Sequence, residues 1–305
     1  MLGANSSIGP RQMWGLQTAP VALYPGPEHD SGVSGVPSPG DATSPPIAAT
    51  AGGTAVERRN KTVSRRVPNG MLVEIFSDVV CPWCAVGKRR FETALGQFEH
   101  ENQIDVVWRA YELDPHAPAR RDGDYADRLA RKYGMSREKA VAANEQLTTV
   151  AAAEGLDFHF ERVQPGNTFN AHRLLHYARE VGPGLQDALK ERLLLAYFTE
   201  GAAIGEPETL LRLSAEVGLD LQECADLLAG DRYADEVRAD EREALDLGVT
   251  GVPFFVVDGK FGIPGAQDAQ TILNVLQRAW TRAHPLEAAA APDGGAICEG
   301  ESCAV

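Results

Sequence analysis

The chain has 305 residues, a formal net charge of −14 and a pI near 5.0, with 44% hydrophobic and 24% charged residues. These values are ordinary for a soluble globular protein of one large or two small domains, and the acidic balance disfavours general binding to nucleic-acid phosphates. Five cysteines are too few for a disulfide-stapled secreted scaffold, but four of them form two close pairs, which favours redox chemistry or metal binding.

Residues 1–68 form an N-terminal segment rich in Gly, Pro, Ser and Ala, without a sustained helical or strand period. Such a segment cannot bury enough apolar surface to offset the entropy lost on ordering, so we predict that it is disordered. Arg65 and Arg66 are similar to a twin-arginine export signal, but the apolar run that follows carries Glu74 and Asp78. We therefore predict no export. No stretch reaches the roughly 18 to 20 apolar residues of a membrane span, and we expect a cytoplasmic protein.

The first regular elements are predicted as a strand, a helix and a second strand. Residues 72–77 are typical of a mostly buried strand, and residues 104–109 have the β-branched and aromatic content of another. Between them, a Cys-Pro-Trp-Cys sequence at residues 81–84 opens a helical pattern that continues to about Phe98. The sequence therefore predicts a β-α-β unit within residues 71–121.

Residues 122–247 change to a helical pattern, in which Gly and Pro separate the apolar-periodic segments. We predict helices at residues 124–133, 136–154, 170–180, 187–199, 208–217, 221–229 and 233–247.

Strand patterns return at residues 254–257 and 261–263, on either side of an Asp-Gly turn, and an amphipathic helix is predicted at 266–280. We predict that residues 71–121 and 248–281 together form one domain. Residues 122–247 are then an inserted helical domain, and residues 282–305 are a flexible tail.

The pair Cys81 and Cys84 has the spacing of a redox dithiol. At the first turn of a helix, Cys81 faces unpaired backbone N–H groups and the positive end of the helix dipole, which favour a thiolate. Pro82 suits this turn because its missing N–H needs no partner there, and Trp83 adds an apolar surface beside the sulfur. Cys84 lies about one turn further on and can attack a mixed disulfide made by Cys81. We predict that Cys81 is the nucleophile and Cys84 the resolving thiol.

Zinc binding is the structural alternative for the same spacing. A zinc site would need a second pair of ligands, which Cys298 and Cys303 in the tail could supply. The Pro-Trp dipeptide and the strand-to-helix placement favour redox chemistry instead. We therefore predict no metal at the cysteine pair.

Two motifs together resemble the DsbA-like oxidoreductase family, FrnE type: FSDVVCPWC at residues 76–84 and GVTGVPFFV at residues 248–256. The resemblance spans residues 72–280. It implies an α/β thioredoxin fold with a large inserted α-helical domain. It also implies a cis bond between Val252 and Pro253 beside the active-site sulfurs, where the Val252 backbone can pair with an extended substrate. Pro82 and Trp83 belong to the same substrate groove.

Two further segments are similar to parts of related proteins. Cys298 and Cys303 resemble a second redox pair at the C-terminus of some FrnE-type members; the alternatives are a metal clip or two exposed thiols without function. Residues 167–176 resemble a motif of glutathione-linked isomerases and kappa-class glutathione transferases, in which His172 or Arg173 would contact a small thiol. The alternative for this segment is a polar face of a packed helix. Cys224 has no partner in sequence and is predicted to be a small core residue.

The leading hypothesis is a protein thiol-disulfide oxidoreductase that uses no organic cofactor and acts on protein or small-molecule thiols and disulfides. One alternative is a glutathione-linked isomerase or transferase of the same superfamily, although such proteins typically carry serine at the position of Cys81. The other is a non-catalytic zinc or partner-binding module. Because Trp83 stands where a histidine would stabilise a thiolate, we expect a milder oxidant than the strong periplasmic ones.

Overall fold

A five-stranded mixed sheet lies at the centre of the computed structural model, which describes residues 70–285 and the two-residue strand Ala22–Leu23. The strands are β1 Ala22–Leu23, β2 Met71–Ser77, β3 Ile104–Ala110, β4 Phe254–Val257 and β5 Phe261–Pro264. Their order in the sheet is β1-β5-β4-β2-β3, in which β2 and β3 are parallel and the other pairs antiparallel. The rest of the predicted N-terminal segment 1–68 and the tail beyond residue 285 lie outside the described residues.

Nine α-helices occur in the described residues. They are α1 Pro82–Gly96, α2 Tyr125–Tyr133, α3 Arg137–Ala153, α4 Phe169–Val181, α5 Leu185–Leu195, α6 Pro207–Glu216, α7 Leu221–Ala229, α8 Ala234–Asp246 and α9 Ala269–Ala283. A π-helical turn, Ala196–Glu200, continues α5, and a short 3-10 turn, Glu101–Gln103, precedes β3. Helices α2 to α8 all follow β3 and precede β4, so the predicted α/β thioredoxin fold with a helical insertion is confirmed. The boundaries of the two predicted domains stay a prediction.

Side-chain caps set the starts of several helices. The carboxylate of Asp124 accepts hydrogen bonds from two backbone N–H groups of α2, and Ser136 accepts one from Lys139 at the start of α3. Asp268 caps α9 through the N–H of Thr271, which is why this helix begins three residues later than the apolar pattern predicts. No helix in residues 70–285 combines the length and the apolarity needed to cross a bilayer.

Two hydrophobic clusters meet at α1. One cluster packs α1 and α9 against the sheet, with Ile75, Phe255 and Leu276 fully buried. The other joins the first turns of α1 to the inserted helices and includes Val86 and Leu193, also fully buried. Each such side chain contributes about 1.5 to 3 kcal/mol through burial. The start of α1, where the cysteines lie, is therefore held from both sides.

Helices α5 and α8 cover the outer edge of the sheet through side chains that pair with the backbone of β3. Gln186 accepts a hydrogen bond from the Trp108 N–H at 3.1 Å and donates one to the Trp108 carbonyl at 2.9 Å. Asp240 of α8 accepts from the Ala110 N–H at 2.8 Å. These bonds fix two inserted helices to the strand that runs beside β2.

Residues 111–121, between β3 and α2, pack closely against two glycines of the helical region. The carbonyl oxygen of Ala119 lies where a Cβ atom of Gly166 or Gly205 would be. The Arg121 N–H also donates to the Pro165 carbonyl at 2.9 Å. Glycine at both positions therefore allows residues 111–121 to lie flat against the inserted helices.

We expect Gly205→Ala to lower the free energy of unfolding by about 1 to 3 kcal/mol, because its Cβ would overlap the Ala119 carbonyl. Urea unfolding followed by circular dichroism measures the change. Gly96→Ala is the matched control: it lies in α1, has no heavy atom within 4 Å of an added Cβ, and should be neutral or slightly stabilising. Equal stability of the two variants would show that the contact with Ala119 does not constrain the fold.

Candidate active site

The two cysteines lie at the junction between β2 and α1, as predicted. Cys81 is the N-cap residue of α1, with an extended backbone (φ −93°, ψ 111°), and Pro82 takes the first helical position. The Cys84 N–H donates a hydrogen bond to the Cys81 sulfur at 3.3 Å. Both cysteines are free thiols. The local sequence thus places the Cys81 sulfur over the N-terminus of the helix.

The two thiols differ in their access to the surface. Cys81 is 4% exposed and lines a cavity of about 1090 Å³, whereas Cys84 is fully buried and does not line it. Pro82, Trp83, Val252 and Pro253 line the same cavity. The structure therefore brings the predicted groove residues together around Cys81.

The loop before β4 contacts both the Cys81 sulfur and α1. The Val252-Pro253 peptide bond is cis, as the resemblance implied, and the Cys81 thiol donates to the Val252 carbonyl at 3.4 Å. Gly87 of α1 lies so close to this loop that an added Cβ would be 2.8 Å from Cγ of Pro253. The glycine thus permits the close packing of α1 against the proline.

Three ionisable side chains are buried behind the thiols. Asp78 accepts a hydrogen bond from the Leu113 N–H at 2.7 Å, and its other oxygen lies 3.3 Å from Nε2 of His172. Lys190 of α5 is fully buried, donates to the Ser77 carbonyl at 3.4 Å and lies over the Trp108 ring. Burial alone would raise the pKa of Asp78, but His172, the Leu113 N–H and Lys190 outweigh it and lower that pKa. The cluster holds a buried carboxylate in its charged form.

The thiol pKa values differ from what the helix position alone predicts. Burial raises the pKa of Cys81 well above its usual range, and a charge on Cys84 raises it further, against the hydrogen bond from the Cys84 N–H. Although burial also acts to raise the pKa of Cys84, that pKa is lowered, because the neighbouring Cys81 side chain and the positive charge of Lys190 favour the Cys84 thiolate. The helix-start argument omitted burial, which acts on the pKa of Cys81 against the hydrogen bond from the Cys84 N–H. The positive charge of Lys190 therefore favours the thiolate form of Cys84.

His172 and Arg173 do not reach the cavity, although the sequence proposed them as contacts to a small thiol. His172 is 2% exposed and lies against Asp78, behind the thiols. Arg173 is 3% exposed and donates to the carbonyl oxygens of Leu227, Gly230 and Arg232. Because these carbonyls lie at the C-terminal end of α7 and just beyond it, Arg173 satisfies a helix terminus. The alternative of a helix face used in packing is the correct one for Arg173.

The sequence interpretation missed Lys190. This lysine falls among Leu189, Leu193 and Leu194 on the buried side of α5, and all three leucines are at most 4% exposed. A lone lysine at a helical position shared with buried leucines is the pattern that could have identified it.

The remaining predicted residues have simpler outcomes. Cys224 is fully buried in the helical core, as expected. Cys298 and Cys303 lie outside the described residues. Within residues 70–285, no group of three or more His, Cys, Asp or Glu side chains has a metal-binding arrangement.

Comparison with known proteins gives a consistent set of similarities. A family model described as DSBA-like thioredoxin domain matches residues 72–277. The crystal structure of a probable DsbA oxidoreductase from Streptomyces coelicolor is 44% identical, with a TM-score of 0.67, covering 74% of this chain and 99% of that one. The Bacillus subtilis protein YwbO is 29% identical over 196 residues, which are 64% of this chain and 90% of that protein.

A more distant structure has a similar fold. It is a putative protein disulfide isomerase from Nitrosomonas europaea, 16% identical with a TM-score of 0.55, which covers 70% of this chain and 99% of its own.

We expect Lys190→Met to raise the pKa of Cys84, because the substitution removes the positive charge that stabilises its thiolate. Thiolate absorbance at 240 nm against pH measures this in a Cys81→Ser background, with Cys81→Ser/Cys84→Ser as the blank. Lys260→Met is the control, since Lys260 is an exposed lysine paired with Asp258. If the Lys190 and Lys260 variants titrated alike, Lys190 would have no electrostatic role at the thiols.

Proposed function

The chain belongs to the DSBA-like thioredoxin domain family and is a thiol-disulfide oxidoreductase, and we propose that its redox centre is the Cys81-Cys84 dithiol. One observation carries the proposal. Cys81 lines the cavity and contacts the Val252 carbonyl, whereas Cys84 is fully buried one turn behind it. An incoming disulfide can therefore reach Cys81 but not Cys84.

The proposed reduction of a substrate proceeds in two exchange steps. The Cys81 sulfur attacks one sulfur of the substrate disulfide and forms a mixed disulfide, and the other substrate sulfur leaves as a thiolate and takes up a proton. Cys84 then attacks the Cys81 sulfur, releases the second substrate thiolate and completes the Cys81-Cys84 disulfide. Two electrons pass from the dithiol to the substrate, and oxidation of a substrate dithiol is the reverse.

The Cys81 thiol must lose its proton as its sulfur attacks, and the Cys84 sulfur one helical turn away can accept it. Cys84 must lose this proton again before it resolves the mixed disulfide. Lys190 supports the second step, since its charge favours the Cys84 thiolate that resolves the mixed disulfide.

The Val252-Pro253 loop provides the surface for the substrate chain. The Val252 carbonyl lies at the cavity, 3.4 Å from the Cys81 sulfur, and Pro253 has no N–H that would need a partner. A substrate N–H that replaces the Cys81 thiol at this carbonyl holds an extended segment beside the reacting sulfur. The Trp83 side chain forms the neighbouring wall of the cavity.

Neither alternative function gains an observation in its favour. The glutathione-linked hypothesis came from the family link and from residues 167–176; of this segment Thr168 lines the cavity, whereas His172 and Arg173 lie away from it. The zinc module needed ligands besides Cys81 and Cys84. The FrnE subtype, the milder reduction potential expected from Trp83, the cytoplasmic location and the lack of a nucleic-acid partner stay predictions.

Substitution of each cysteine tests the assignment of roles. We expect Cys81→Ser to abolish disulfide reduction in an insulin turbidity assay, because Cys81 is the thiol that residues 70–285 place at the cavity surface. Cys84→Ser should instead accumulate mixed disulfides, which non-reducing gels and mass spectrometry detect. Cys224→Ser is the control and should behave as wild type. Full reductase activity in Cys81→Ser would contradict the proposal.

The tail pair, Cys298 and Cys303, is proposed as a second dithiol that exchanges electrons with Cys81. The support is its spacing, since a loop with four intervening residues closes at modest entropic cost. Truncation after Pro285 should keep the fold, because α9 ends at Ala283, and should slow recycling of the Cys81 pair. Multiple-turnover assays measure this. Equal turnover by truncated and full-length protein would reject the exchange.

A further inference from the structure

One face of α2 forms a wall of the cavity that contains Cys81. Tyr125, Arg128, Leu129, Lys132 and Tyr133 all line the cavity, and their spacing of three to four residues places them on one side of the helix. Burial raises the pKa of Tyr125 and of Tyr133, and the neighbouring Cys81 adds to the rise, in keeping with their position on the same cavity. A substrate bound to Cys81 therefore meets α2.

Arg128 is the unusual residue on this face. Its Nη1 atom is buried and makes no hydrogen bond, and no carboxylate in residues 70–285 lies within ion-pair distance of its guanidinium group. Burial lowers its pKa, and the neighbouring charge of Arg121 acts in the same direction. An arginine remains protonated in proteins, so a buried guanidinium nitrogen without a partner is costly unless a ligand supplies the acceptor.

The acids of the cavity are mostly engaged with other partners. Asp78 lies against His172, and Asp114 pairs with Arg121. Glu112 pairs with Arg238 at 2.6 Å, and burial raises the pKa of Glu112 to about 7. The remaining acid that lines the cavity, Asp122, is exposed.

The cations of the same wall are less fully paired. Arg121 and Arg120 have carboxylate partners, but no ion pair occurs for Arg131 or Lys132 among the described residues. Positive charge therefore remains free beside Cys81 in a protein whose net charge is −14.

We propose that Arg128 binds a carboxylate carried by the disulfide substrate, so that the site prefers substrates with an acidic group next to the sulfur that Cys81 attacks. This inference rests on the proposed function of the Cys81-Cys84 dithiol. A guanidinium group presents two parallel N–H donors to a carboxylate, and one of the Arg128 nitrogens, Nη1, is buried at the cavity. The carboxylate is that of an acidic residue in a peptide or that of a small organic disulfide.

Two matched pairs of disulfides test the preference. One pair is a short symmetric cystine peptide with Glu beside the cysteine and the same peptide with Gln. The other pair is dithiodipropionate and its diamide. The rate constant for mixed-disulfide formation is measured with Cys84→Ser protein. The rate constants for reduction of the same disulfides by dithiothreitol are measured as well. Dividing each acid-to-amide ratio for the protein by the ratio for dithiothreitol removes differences in the intrinsic reactivity of the two disulfides.

We expect a corrected ratio of about ten for the acidic substrates, a size typical of a hydrogen bond to a charged group. Arg128→Gln should bring the ratio close to one, and Arg128→Lys should restore part of it. Arg212→Gln is the control, since it removes the same charge from an exposed pair on α6 and should keep the ratio. Added salt should lower the ratio in the Arg212→Gln protein, because salt screens the attraction between Arg128 and the substrate carboxylate.

The outcomes distinguish a failure of the carboxylate site from a failure of the proposed dithiol function. A ratio near one in Cys84→Ser protein, or an unchanged ratio in Arg128→Gln, overturns the carboxylate site. A preference within only one of the two pairs supports the site and identifies the carboxylate as peptide-borne or small-molecule. If neither member of either pair forms a mixed disulfide at Cys81, the proposed function itself fails. Far-UV circular dichroism checks that each variant is folded.

Discussion

Asp78, Cys84 and Lys190 are fully buried beside one another, and the burial of these ionisable groups is a constraint that shapes the structure around them. A buried ion is stable only when opposite charge and hydrogen bonds surround it. Asp78 comes from the turn after β2 and Cys84 from α1, while His172 and Lys190 come from α4 and α5. The compensation of charge at the dithiol therefore needs side chains from the sheet and from the inserted helices at once.

The inserted helices accordingly act on the thiols in two ways. On the side of the buried Cys84, α5 supplies Lys190, and Gln186 of α5 fixes this helix to the backbone of β3. On the side of the cavity, α2 supplies the face that contains Arg128. Residues 111–121 connect the sheet to this face and lie flat on Gly166 and Gly205. The position of the cavity wall relative to Cys81 thus depends on close backbone packing far from the sulfur.

Features determined by residues close in sequence could be predicted, whereas features that depend on contacts between distant parts of the chain could not. The Cys-Pro-Trp-Cys junction and the helix ends follow from turn chemistry and caps such as Asp124 and Ser136, which act within a few residues. The role of Arg173 depends on carbonyls of α7, more than 50 residues away. The helix-start argument for Cys81 omitted burial, which the chain acquires only when α1 packs between two cores. The cis bond before Pro253 was expected only through family resemblance.

The hydrogen bonds of Gln186 also bear on how this protein avoids aggregation. The side-chain amide is the same chemical group as a peptide bond, so at Trp108 it occupies the donor and acceptor that another strand would use. Asp240 does the same for the N–H of Ala110. Two copies of the chain cannot join their sheets through this edge without first displacing α5 and α8, so α5, which places Lys190 beside Cys84, also blocks strand pairing at β3.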